Sequence, residues 1–382
     1  MRYWLKTAGA IAVGLSLSGC GIFSSEETVE PNPLVEFQAE QELQPLWSLS
    51  TGGSLGSKFH QLVPSIDGQQ IFAANAEGDL VAADLASGRI NWRVELNTPI
   101  GGGVGAGNGI VVLAKESGEV IAFDTADGSE RWRYQASSEV ISQPQMNSEL
   151  VVVQQLDGKI TALDVASGKL RWSYDSQIPR LSLRGTSAPI VAADLTLAGF
   201  ANGKMVAVEN ATGRPVWEQR VALAEGRSEL ERIVDIDGRP LVYNRLVYVG
   251  SYQGRLVALN PANGQIVWSQ DFSTYRGLAG GFGNIYAISE KDHVYAFDAR
   301  NSASVWLQDS LQHRRLTTPA VLGNAVLTAD AEGYLHAMSQ VDGHFTARYR
   351  VSSSGVQSDL LVRDGVLYVL SNDGRLTALK FK

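Results

Sequence analysis

The 382-residue chain has a single cysteine, Cys20. No internal disulfide can form, and a zinc or iron–sulfur centre held by several thiolates is excluded. Histidine is scarce as well. None of His60, His293, His313, His336 and His344 is spaced at the i, i+4 interval of a helical metal site. Positive charge is in the minority: 32 Lys and Arg stand against 40 Asp and Glu, a formal net charge of −8. Coating nucleic acid takes clustered Lys and Arg against phosphates, so nucleic acid is not the expected partner. No apolar run approaches the roughly 20 residues of a spanning helix, which excludes a multi-span helical membrane protein. What the sequence has in quantity is glycine, with 39 residues, and apolar side chains, at 44%. The first asks for many turns and the second supplies a large core.

The lone cysteine has an informative setting. Arg2 and Lys6 form a positive start, and Thr7 to Ser18 is small and apolar. That stretch has the length of a signal-peptide core and is too short to cross a bilayer. Leu17-Ser18-Gly19-Cys20 resembles the lipobox of bacterial lipoproteins. The resemblance implies that residues 1–19 are a signal peptide and that Cys20 carries acyl chains. A thiolate is a good nucleophile for that acylation, and several chains together give durable anchoring. Residue 21 is Gly, where an Asp commonly retains lipoproteins at the inner membrane. The implied address is therefore the outer membrane, periplasmic face. Losing Arg2 and Lys6 with the signal leaves a net charge of −10. Residues 20–44 are polar, acidic and broken by Pro31 and Pro33, and read as a flexible tether.

The remainder, 45–382, is a repeat. Gly and Trp recur fourteen residues apart: Gly78 with Trp92, Gly118 with Trp132, Gly158 with Trp172, Gly203 with Trp217, Gly254 with Trp268. Asp292 replaces Gly ahead of Trp306, Gly333 precedes Ala347 where Trp is expected, and Gly374 opens an eighth copy that the chain does not complete. Copies begin about 40 to 50 residues apart, the period of propeller blades or solenoids. Within a copy, Gly158-Lys-Ile-Thr-Ala-Leu-Asp164 alternates apolar and polar residues like a half-buried strand. Pro64, Pro144, Pro189, Pro240 and Pro319 each stand fourteen residues before a Gly or its equivalent, as expected for an edge strand that need not donate. Four strands per copy predict an all-β, eight-bladed β-propeller of four-stranded antiparallel blades. Trp47 precedes the first copy and lies on the strand the eighth lacks, so the last blade is expected to be closed by the N-terminal strand. Trp47, Trp92, Trp132, Trp172, Trp217, Trp268 and Trp306 are read as structural indoles docked between blades.

The unit Ala162-Leu-Asp164-Val-Ala-Ser-Gly168-Lys-Leu-Arg-Trp172 resembles the tryptophan-docking motif of the pyrroloquinoline-quinone (PQQ) dehydrogenase-like propellers. Within that group, a lipobox, a short tether and eight bare blades resemble the BamB family of the outer-membrane β-barrel assembly (BAM) complex. The resemblance spans essentially the whole chain. It implies a non-catalytic scaffold without cofactor or metal that binds the periplasmic POTRA domains of BamA. It further implies help with folding and insertion of outer-membrane β-barrel proteins, with nascent barrel proteins themselves as possible partners at the blade edges. The alternative is a periplasmic PQQ-dependent dehydrogenase-like enzyme, after the group's namesakes. A third, a ligand-binding propeller, would show a deep aromatic-lined central pocket.

Function is expected where the blades are irregular. Two consecutive blade-to-blade connections are long, Trp172 to Pro189 and Trp217 to Pro240, and should be neighbours on one face. The first contains Leu181, Leu183 and Arg184, and the second Asp235 and Asp237. Exposed aliphatics among Arg and Asp suit a protein-docking patch; the leucines could instead fold back on the blade edge. By resemblance to the BamB family, Leu181 and Leu183 are apolar anchors for BamA. Arg184 either bonds the partner or braces its own loop against Asp235 or Asp237. Asp235-Ile-Asp237-Gly238 has a passing likeness to a calcium loop but lacks the further ligands and terminal Glu. The run from Gly101 to Gly107 lacks the Gly-Lys-Ser/Thr of a phosphate cradle and falls where blade 2 needs its inner strand.

Overall fold

In the computed structural model, residues 30–56, 61–179, 187–223, 227–228 and 230–382 are described. Among them the regular structure is β-strand throughout, arranged as eight blades in a ring, each of four antiparallel strands, with one further short strand added in parallel to the sheet of blade 2. Blade 1 consists of Ser65–Asp67, Gln70–Ala74, Asp79–Asp84 and Ile90–Glu95, running from the axis outward. Blade 3 repeats it as Gln145–Met146, Leu150–Gln154, Lys159–Asp164 and Leu170–Asp175. The prolines sit one residue before the inner strands of blades 1, 3, 4, 5 and 7, where no ladder donor is needed. Blade 8 takes Leu361–Arg363, Val366–Leu370 and Arg375–Phe381 from the C-terminus and its outer strand, Leu43–Ser50, from the N-terminus. Leu43 lies opposite Phe381 and Ser50 opposite Arg375, so the two ends of the chain close the ring.

The tryptophans hold the seams. Each indole N–H donates to a backbone carbonyl in the turn before the next blade's outer strand. Trp92 reaches Thr125 at 3.0 Å, Trp132 reaches Val165 at 3.0 Å, Trp172 reaches Asn210 at 2.7 Å and Trp217 reaches Pro261 at 2.9 Å. Within its own blade every Trp is paired with a buried alanine on the third strand, such as Ala122, Ala162 and Ala207, which leaves room for the ring. The receiving turn needs glycine for two reasons. Gly168 has φ +66°, and a Cβ there would stand 2.5 Å from the Trp132 ring. Blade 6 departs from this rule, with Ser302 at φ +62°. The Asp292 that replaces Gly in the same blade has its own use: its carboxylate accepts the backbone N–H groups of Arg315 (2.8 Å) and Leu316 (3.0 Å).

Glycine in blade 2 serves close packing. The run forms the inner strand Ile100–Gly107, and Cβ atoms on Gly102 and Gly105 would strike carbonyls of Ser142 and Pro144 in blade 3. A strand not read from the sequence, Gln61–Leu62, pairs in parallel with Gly102 and Gly103.

The segment read as a tether to residue 44 is bound to the ring from Asn32 onward. Asn32 N–H donates to Gln312, and the backbone N–H groups of Glu40 and Gln41 donate to the Thr346 carbonyl at 2.8 and 3.1 Å. Phe37 packs on Phe345 with ring centroids 5.5 Å apart. Arg348 donates to the Val35 carbonyl at 2.9 Å. Beneath this strap lies a buried charge network. Arg314 Nε and His336 Nε2 both meet Asp330 Oδ2, at 2.7 and 2.9 Å, while Arg314 also bonds Glu332 and, at 2.7 Å, the Asn32 carbonyl. Burial holds the His336 imidazole below its ordinary pKa despite the aspartate.

Candidate partner-docking site

The two long connections emerge where each outer strand hands over to the next inner strand, on one face of the ring. Ser187, at the end of the first, donates from Oγ to the carbonyl of Gly238 in the second, 3.1 Å away. Ile178 and Ser187 of the first also share a small cavity of about 20 Å³ with Asp235 and Ile236 of the second, about the room one water needs. The expected adjacency of the two loops is present.

The second loop is built from its centre outward. Ile236 is fully buried and fills the space over Gly199, where a Cβ would lie 2.3 Å from its Cγ2. Tyr252 N–H donates to the Asp235 carbonyl at 2.8 Å, stitching the loop to blade 5. Nearer the tip, Ser228 and Glu231 form a reciprocal cap. Glu231 N–H donates to Ser228 Oγ at 3.2 Å, and the Glu231 carboxylate accepts the N–H groups of Arg227 and Ser228 at 2.6 and 3.3 Å. Those two backbone bonds hold the carboxyl below its usual range. The turn thus fixed leaves Leu230 67% exposed, and Leu223, earlier on the same connection, is 49% exposed. A leucine that open on a hydrogen-bonded turn is placed for contact with another surface.

Leu181, Leu183 and Arg184 lie outside the described residues, and so does Cys20. The acids are separated in role. Asp235 is only 1% exposed and belongs to the loop's interior. Asp237 lines the central cavity instead. Its Oδ1 has no hydrogen-bond partner among the described residues, and desolvation pushes its carboxyl up to about 7. Leu223 and Ser187 were missed from the sequence, and Leu230, although it stands in the stretch of acids and aliphatics read there as a docking patch, was not picked out as an anchor. Ser228-x-x-Glu231, a capping signature, is the signal that would have pointed to Leu230.

The central cavity occupies about 1240 Å³ and is lined by residues of all eight blades. Its aromatic lining is Tyr252 and Tyr275 alone among the described residues, with proline, aliphatic, glutamine and arginine side chains making most of the wall. A quinone held with calcium requires several oxygen donors converging on the ion. Among the described residues the cavity wall carries two carboxylates, Asp237 and Asp359, and no three His, Cys, Asp or Glu come together to hold a metal.

Eight four-stranded blades, indole-locked seams and an N-terminal closing strand define a PQQ-like β-propeller. The sequence profile described as "Outer membrane protein assembly factor BamB" matches residues 76–308 and 307–382. The outer membrane protein assembly factor BamB of Pseudomonas aeruginosa is 52% identical over 378 residues, 99% of this chain and 99% of that one. The chain belongs to the BamB family. The crystal structure of BamB from Moraxella catarrhalis superposes with a TM-score of 0.81 at 28% identity, over 89% of this chain and all of that one. Quinohemoprotein alcohol dehydrogenase from Comamonas testosteroni also superposes, with a TM-score of 0.71 over 88% of this chain and 76% of its own. At 13% identity that likeness is one of fold alone.

Proposed function

We propose that the chain is a lipid-anchored scaffold of the BAM complex, held by Cys20 at the periplasmic face of the outer membrane. It grips the POTRA domains of BamA and assists folding and insertion of outer-membrane β-barrel proteins, with no catalysis of its own. The observation that carries this reading is the paired long loops, joined by Ser187 and Gly238, which hold Leu223 and Leu230 open to solvent. Leu181 and Leu183 add apolar anchors on the first loop. Asp235, buried and stitched to Tyr252, supports the loop from within, and Asp237 shapes its inner border. Arg184 either bonds BamA or braces the loop against this acid pair. Membership of the assembly-factor family supports the partner. The test is co-purification of the tagged chain from detergent-solubilised outer membranes. Recovery of BamA at near-equal amounts is expected, and its absence would remove the reading.

A second contact is supported by the outer strands. Val216, Val267 and Val305, each just before a docked Trp in blades 4, 5 and 6, are all about half exposed at a free strand edge. An exposed edge with apolar side chains suits pairing with an unfolded barrel strand. Hydrogen exchange with an unfolded barrel protein should slow the amides of these outer strands. Unchanged exchange there would rule this contact out.

A further inference from the structure

In a chain of net charge −8, one mouth of the central cavity is basic. Arg239, Arg276 and Arg315 line the cavity from the three successive connections that enter blades 5, 6 and 7. These connections form one wall. Gly238 lies against the Arg276 carbonyl so tightly that a Cβ would clash with it, and Gly277 N–H donates to Thr318 Oγ1 at 3.2 Å. Among the described residues none of the three arginines makes an ion pair. Arg239 donates to the Gln145 side-chain oxygen at 2.9 Å. Arg276 lies over the Tyr275 ring at 4.7 Å, and its Nε is buried without a partner. Two carboxyls share this mouth. Asp359 accepts the Thr318 N–H at 3.3 Å and its charge also acts on Arg239. Asp237, pushed up to about 7, carries a reduced negative charge near neutral pH. Among the described residues, three guanidinium groups thus face at most two carboxylates. Further along the axis the wall turns apolar, with Ile66, Met146, Ile190, Leu241 and Leu361.

We propose that the cavity binds an extended acidic peptide segment, with its carboxylates at Arg239, Arg276 and Arg315 and its apolar side chains along the inner strands. Guanidinium groups are weakly hydrated and match carboxylates two bonds at a time. A free oxyanion would meet the same guanidinium groups. The apolar length and the volume of about 1240 Å³ favour a longer occupant. This site does not include the exposed Leu223 and Leu230 of the proposed BamA contact, and its test does not involve that partner.

The test uses the full-length chain in detergent and a fluorescein-labelled peptide of alternating Asp or Glu and Leu, read by anisotropy. The control peptide replaces each acid by Asn or Gln. Binding of the acidic peptide is expected to weaken about tenfold or more in the Arg276→Gln/Arg315→Gln double variant and as salt is raised from about 50 mM to about 300 mM. Arg300→Gln should leave affinity unchanged, because Arg300 lies in the turn before blade 6's outer strand, does not line the cavity, and is paired with Asp298 at 2.6 Å. Thermal melts establish that each variant is folded. Equal affinity for the amide peptide, or a double variant that binds as wild type does, would overturn the proposal. Complete displacement by millimolar inorganic phosphate would also overturn it, assigning the mouth to free oxyanions.

Discussion

Trp47 Nε1 donates to the Leu85 carbonyl 3.2 Å away, so an indole near the start of the chain pins blade 8 to blade 1. Six further seams carry the same bond. The eighth, between blades 7 and 8, has Ala347 in the indole's place. Its reason is topological: an indole docks on the turn between a blade's third and outer strands, and blade 8 has no such turn. Its third strand ends at Phe381, and its outer strand arrives separately at Leu43.

Urea unfolding should rank three substitutions accordingly. Trp47→Ala should cost about 3–5 kcal/mol by leaving a cavity at the closing seam. Trp172→Phe should cost less, because part of the packing survives while one hydrogen bond, worth about 0.5–1.5 kcal/mol, is lost. Ala347→Trp should destabilise by about 1–3 kcal/mol, since no receiving turn exists and the site is already filled. A stabilising Ala347→Trp would refute the topological explanation.

Ser302 and Gly168 occupy equivalent turns with φ near +62° and +66°. Ser302→Gly should raise stability by about 0.5–1 kcal/mol by relieving a left-handed conformation at a non-glycine residue. Gly168→Ala should lower it, because the new methyl meets the Trp132 ring. Thermal melts of both variants decide the point.

Asp237 gives a pH signature. Its folded pKa is raised from 3.8 to about 7, so the folded chain favours the protonated form. The stability this group contributes is full below about 4 and is lost as pH rises towards 7. Asp237→Asn should therefore melt at a higher temperature than wild type above pH 7, and the two should converge below about pH 4. A difference that stays constant with pH would contradict the unpaired-carboxyl description.

Arg314 and Asp330 are both nearly inaccessible and 2.7 Å apart. Arg314→Ala should destabilise the ring by about 3–5 kcal/mol, because it leaves the buried Asp330 carboxylate with only His336 and two backbone N–H groups and no guanidinium. The same change removes the bond to Asn32, so limited proteolysis should cut the N-terminal strap well before the blades. Unchanged strap protection would show that Phe37 and Glu40 hold it alone.

The blades were legible because each repeats a local cause: a period-two strand, a positive-φ glycine turn and an indole at a fixed interval. The strap was not, because Val35, Phe37 and Glu40 have no period and bind through long-range partners in blade 7. Gln61–Leu62 pairs in parallel with a strand about 40 residues on, a contact no local pattern records. The loop lengths placed the two long connections side by side, and the Ser187–Gly238 bond matches that adjacency. The separate placement of Asp235 and Asp237 was hidden, since alternate residues of a loop carry no rule for which one faces inward. The basic mouth was hidden too: Arg239, Arg276 and Arg315 come one per connection and at different offsets from the inner strands.

The most direct test of the scaffold reading is a binding titration of the full-length chain against the isolated POTRA domains of BamA. Leu183→Asp and Arg184→Glu serve as variants, with folding verified by melts. Saturable binding by the wild type and its loss in both folded variants is the expected result. Wild-type affinity in both variants would contradict the assignment of the paired long loops as the BamA-docking surface.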